Sequence, residues 1–238
     1  MRRTQVRRSA LPDIQTAATP PRLAHQFEDL AQQHETARLG IWVFLVTEIL
    51  FFGGLFTAYA IYRWVYFPAF EAGSRVLDVK LGALNTAVLL GSSLTMALAV
   101  RAAQTAQRKM LIAFLTGTMF LGGVFLCIKL YEYYQKFVEH VVPGIDFAPQ
   151  GELLAQLQPA HLDHVQLFMF FYFAMTLLHA LHMIIGMALL AVLVYRARRS
   201  EFGPDYFAPV DTVGLYWHFV DIVWIYLFPL LYLVGGRR

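Results

Sequence analysis

Five stretches of this chain, Leu39–Tyr62, Leu81–Val100, Met110–Tyr131, Val165–Tyr195 and Thr212–Val234, are long and apolar enough to cross a hydrocarbon core, which takes about 20 residues of helix. Lipid offers the backbone no water to bond with, so such segments must close their hydrogen bonds internally as helices. The expectation is an all-α fold, a polytopic membrane bundle of five transmembrane helices. At 58% hydrophobic and 15% charged residues, the chain is too apolar for an ordinary soluble domain. The fourth stretch has 31 residues and must tilt or protrude.

Two regions follow. Residues 1–38 hold no apolar run and contain Pro12, Pro20, Pro21 and scattered charges, which reads as a flexible cytoplasmic arm rather than a cleaved signal. Residues 39–238 form the membrane domain. If the arm and the loops around Arg101 and Arg198 share one side, that side carries twelve lysines and arginines against six on the other. The positive-inside rule then puts the N-terminus in the cytoplasm and the C-terminus outside. The net charge of +3 sits mostly beside spans and gives no reason to expect nucleic acid.

The second span is crowded with Gly82, Ala83, Gly91, Ser92 and Ser93, and the first and third carry Gly53, Gly54, Gly117, Gly122 and Gly123. Small residues let helices approach closely in lipid, so all three spans are expected to be enclosed at these points. Cys127 reads as a small core residue, and a lone thiol excludes an intrachain disulfide and a multi-thiolate metal centre. In the loop before the fourth span, Glu152–Gln158 reads as a surface helix. Asp163, between His161 and His164, reads as the cap of the fourth helix.

The chemistry-bearing residues lie deep. Glu48 is the only formal charge in the 24 residues from Leu39 to Tyr62. A central acid costs an inserted helix about 2.5–3.5 kcal/mol, so it needs a partner. At 1.5 Å per residue, Glu48, His179, His182 and Asp221 all fall within about 4 Å of the middle of their spans. His218 lies one turn from Asp221. Three helices thus offer polar groups at one depth, and a shared cluster would relieve the burial of each. Burial favours a protonated Glu48 and a cationic histidine beside it favours the carboxylate, so Glu48 is either a packing tie or a proton-exchanging site. His218 and Asp221 read as a pair on one helix face. Glu132, with Lys129 and Lys136, reads as a solvated or interfacial charge group at the outer end of the third span.

Ligation reads less well. A bis-histidine haem would join His179 or His182 to His218, and a di-iron bundle would need Glu-x-x-His motifs that the sequence does not contain. No nucleophile motif, phosphate loop or haem-attachment motif is present. The residues alone leave open a haem b anchor and a small proton-coupled transporter using Glu48 and Asp221.

These segments carry a resemblance. LGIWVFLVTEILFFGGLFTAY, LNTAVLLGSS, KLYEYYQ, LHALHMIIG and YWHFVDIVWIYLF, in this order from Leu39 to Tyr232, resemble the signatures of haem-copper oxidase subunit III. The resemblance implies an accessory subunit of a terminal oxidase that oxidises cytochrome c, reduces oxygen and translocates protons. It implies that this chain binds no cofactor and no metal, with haem and copper held by the catalytic subunit I and by subunit II. It matches Glu48 to the family's carbodiimide-reactive carboxyl, associated with proton uptake and durable turnover. It carries His179, His182, His218, Asp221 and Glu132 over as buried or helix-end polar positions. It also implies a bacterial cytoplasmic membrane, bound structural lipids and a place in a larger respiratory assembly. A quinol oxidase or a nitric oxide reductase-associated relative fits the same signatures. Many members of the family have seven spans, and this chain matches from the third; in five-span members, extra helices of the catalytic subunit fill the space.

Overall fold

A computed structural model describes residues 30–144, 147–148, 162–204 and 206–235. Among these residues six helices appear in order: α1 Leu30–Val65, α2 Phe67–Arg75, α3 Val79–Gln104, α4 Arg108–Val138, α5 Leu162–Arg198 and α6 Ala208–Tyr232. Five of them, all but α2, are long and apolar enough to span a membrane. The chain is a multi-pass membrane protein, and no strand appears among the described residues.

The boundaries overrun the apolar stretches because helices continue into the polar interface. α1 begins at Leu30, ahead of the expected start at Leu39, and α4 runs on to Val138. α5 begins at Leu162, which places Asp163 inside its first turn rather than ahead of it as a cap. The segment Glu152–Gln158 and His161 lie outside the described residues.

The bundle core is α3, α4, α5 and α6, with α1 and α2 laid against α5 and α6. Half of the apolar window of α6 is buried but only 11% of that of α1, so α6 is the central helix and α1 the outlying one. One residue shows why. Trp217 of α6 enters a slot between α4 and α5, where a methyl group on Gly122 would lie 2.9 Å from its ring and one on Gly186 would lie 3.0 Å from it. Its indole N–H donates to Ser92 Oγ of α3 at 3.0 Å, so one side chain engages all three neighbours. Trp224 repeats the device one level away, donating to Thr86 Oγ1 at 3.0 Å.

The small-residue expectation holds for Gly82, packed on Phe228, and for Gly122. It fails for Gly53, Gly54, Gly117 and Gly123, where an added Cβ would meet nothing within 4 Å among the described residues. Cys127 is exposed rather than buried in the core.

α2 was not legible as a helix. It is nine residues long, opens with Pro68 in its first turn, and buries Ala69, Phe70, Gly73 and Ser74 against α5. Gly73 is required there, because a Cβ would lie 2.5 Å from Phe168. The helix ends are closed by side chains: Asp78 accepts from the N–H groups of Lys80 and Leu81 at the start of α3. Arg108 donates to the carbonyls of Ala197 and Arg198 at the end of α5. Tyr59 Oη of α1 donates to the Leu230 carbonyl in the last turn of α6 at 2.7 Å.

Candidate functional site

α1 turns Glu48 toward α5, where its Oε2 lies 3.1 Å from His182 Nε2. His182 is fixed from its other side, its Nδ1 lying 2.9 Å from the Leu178 carbonyl one turn earlier. A carbonyl only accepts, so Nδ1 carries a proton. Nε2 then has two options. It accepts the O–H of a neutral Glu48, or it donates to a Glu48 carboxylate as part of an imidazolium. Both states share one heavy-atom geometry, so a proton can shift between the two groups without moving a helix. Phe52, one turn along α1, packs its ring 5.3 Å from the imidazole, and Tyr216 Oη donates to the His182 carbonyl at 3.0 Å. The Glu48 side chain remains 18% exposed, since α1 lies at the edge of the bundle.

The remaining candidates do not join this pair in one cluster. His218 Nδ1 lies 2.7 Å from Ser93 Oγ of α3. Asp221 is buried beside the same serine, and its carboxyl oxygens make no well-formed hydrogen bond among the described residues. No hydrogen bond joins His218 to Asp221 among the described residues, and Ser93 stands as neighbour to both. His179 is buried with neither ring nitrogen hydrogen-bonded to the described protein, its ring 5.4 Å from those of Phe125 and Trp224. The three imidazoles therefore serve three different surroundings. Among the described residues no three His, Cys, Asp or Glu side chains gather as a metal ion would require.

A further site was misjudged from sequence. Lys129 and Glu132 were expected to form a solvated or interfacial group, yet they are 2% and 0% exposed. The ammonium of Lys129 donates to Glu132 Oε2 at 2.9 Å, Tyr172 Oη at 3.2 Å and Tyr232 Oη at 2.9 Å, which uses all three of its protons. Tyr232 Oη in turn donates to Glu132 Oε1 at 2.6 Å. Tyr133, Tyr172, Trp224 and Tyr232 place their rings 4.9–5.6 Å from the ammonium. Lys136 is buried as well, donating to the Val76 carbonyl and to Glu139. The missed signal was periodicity: Leu111, Leu115, Thr118, Gly122, Phe125, Lys129, Glu132 and Lys136 form one continuous buried stripe at helical spacing.

Comparison with known proteins bears on this arrangement. Residues 25–141 and 163–236 match the family described as cytochrome c oxidase subunit III. The chain is similar to a cytochrome c oxidase subunit 3 from Synechocystis, 32% identical over 203 residues, covering 82% of this chain and 74% of that protein. It is also similar to a cytochrome bo(3) ubiquinol oxidase subunit 3 from Pseudomonas putida, 26% identical over 197 residues, covering 83% and 85%. A heme-copper oxidase subunit I+III from Aeropyrum pernix is 29% identical over 203 residues, 83% of this chain but 22% of that longer protein.

Proposed function

The chain belongs to the cytochrome c oxidase subunit III family, and on that premise we propose that it is the accessory subunit of a haem-copper terminal oxidase, supporting proton uptake by a catalytic neighbour. The observation that carries the proton-handling part is the Glu48–His182 pair, which keeps one geometry in either of two proton positions. Its place at the edge of the bundle supports a role toward a neighbour rather than a reaction inside this chain.

In this reading haem and copper belong to subunits I and II, and this chain contributes packing and a proton-holding group. The I+III name of the Aeropyrum pernix relative supports contact with the catalytic subunit. The excess of basic residues around the arm, Arg101 and Arg198 supports a cytoplasmic N-terminus and an outer C-terminus in a bacterial membrane.

The test is Glu48→Gln in the intact complex. The expected result is normal assembly and haem content, with slower proton uptake or a shorter working lifetime during turnover. Unchanged proton pumping and lifetime would leave Glu48 as a tie between α1 and α5.

A further inference from the structure

Between α1 and α6 lies a groove of about 530 Å³, lined by apolar and aromatic side chains that include Trp42, Phe52, Phe56, Phe219 and Tyr226. Its size and lining are those of a small-molecule site. One polar ring interrupts it. His218 lines the groove half-buried, with Nδ1 committed to Ser93 and Nε2 without a hydrogen bond among the described residues. At 1.5 Å per residue His218 stands about 3 Å from the midpoint of α6, and Ile49 and Gly53 lie within about 5 Å of the midpoint of the α1 span.

That depth selects the ligand. A phospholipid that enters the groove presents only acyl chain at the midplane, because its charged headgroup stays at the interface about 15 Å away. An occupant that uses Nε2 must carry a neutral hydrogen-bonding head into the middle of the bilayer on an apolar tail. We propose that the groove binds an isoprenoid quinone, its ring oxygen hydrogen-bonded to His218 Nε2 and its ring and tail against the aromatic walls. The contact serves both oxidation states: neutral imidazole donates to a quinone carbonyl from Nε2, or accepts a quinol hydroxyl there in the other tautomer, with Ser93 exchanging roles at Nδ1. Ser93 in turn neighbours the buried Asp221, so the head of the ligand reaches an internal acid through two side chains.

The experiment uses the full chain with whatever subunits co-purify, reconstituted in phosphatidylcholine nanodiscs and photolabelled with a short-tailed azidoquinone. Co-purification of a haem subunit is scored separately, so the oxidase reading and the quinone site fail independently. The expected result is label in peptides 42–56 and 215–226 that excess decyl quinone displaces. His218→Phe weakens binding about three- to tenfold, the loss of one hydrogen bond. Gly53→Leu abolishes labelling by filling the groove, where a Cβ at Gly53 meets no other atom within 4 Å. A photoactivatable phosphatidylcholine, run alongside, responds to Gly53→Leu alone. Label that decyl quinone does not displace, or that His218→Phe leaves unchanged, would overturn the proposal, as would equal sensitivity of both probes to His218→Phe.

Discussion

Glu48 and His182 meet across the α1–α5 boundary at 3.1 Å, and His182 is oriented for that contact by the carbonyl of Leu178 on its own helix. An outlying helix is thereby bonded to the bundle near the middle of the membrane. The partner that a midspan glutamate requires is one histidine on another helix, rather than a pool of four polar residues.

Removing either side of this contact should cost more than neutralising it. Glu48→Gln can still donate an amide N–H to Nε2 and should change the melting temperature of the purified complex little. His182→Phe leaves Glu48 without its partner and should cost about 1–3 kcal/mol. Thermal melts of both variants in one detergent check the order, which a purely steric role for His182 would reverse.

The Lys129–Glu132 pair should behave as a unit. Lys129→Met strands a buried carboxylate and should cost about 3–5 kcal/mol, whereas Lys129→Met with Glu132→Leu should recover much of that loss. A double-mutant cycle in thermal unfolding measures the coupling, and additive losses would contradict the buried ion pair.

Two adjacent glycines of α4 should respond oppositely to alanine. Gly122→Ala drives a methyl group to 2.9 Å from Trp217 and should cost about 1–3 kcal/mol. Gly123→Ala meets nothing within 4 Å and should gain up to about 1 kcal/mol from helix propensity. Comparing the two melts tests the slot directly.

The orientation can be read by thiol labelling in a Cys127→Ser background. A cysteine at Gln104, at the end of α3, should react with a membrane-impermeant reagent only from the cytoplasmic side. One at Lys80, at the start of the same helix, should react only from outside. Exchange of the two patterns would invert the proposed topology.

The five spans were legible because lipid enforces helix wherever about 20 apolar residues run together. α2 was not, because nine residues of mixed polarity carry no spanning signal and depend on contact with Phe168 of α5. Glu48 stood out because it is the sole charge in its stretch, but depth alone could not choose between His179, His182 and His218. That choice depends on helix rotation, which Trp217 fixes through Gly122 and Gly186. Lys129 and Glu132 were misjudged for the opposite reason: they sit where the apolar stretch ends at Tyr131, and charge at such an end ordinarily meets water. Here Tyr172 and Tyr232 take the place of water.

The ring of bonds around Lys129 draws on α4, α5 and α6, and Tyr232 comes from the last turn of α6, made about a hundred residues after Lys129. During synthesis α4 must therefore enter the membrane with its ammonium and carboxylate facing only each other, and wait for α5 and α6 before either is fully coordinated. Closure of this site is thus tied to the arrival of α6, and a chain stalled before Tyr232 would present its insertion machinery and quality-control proteases with an open, charged seam.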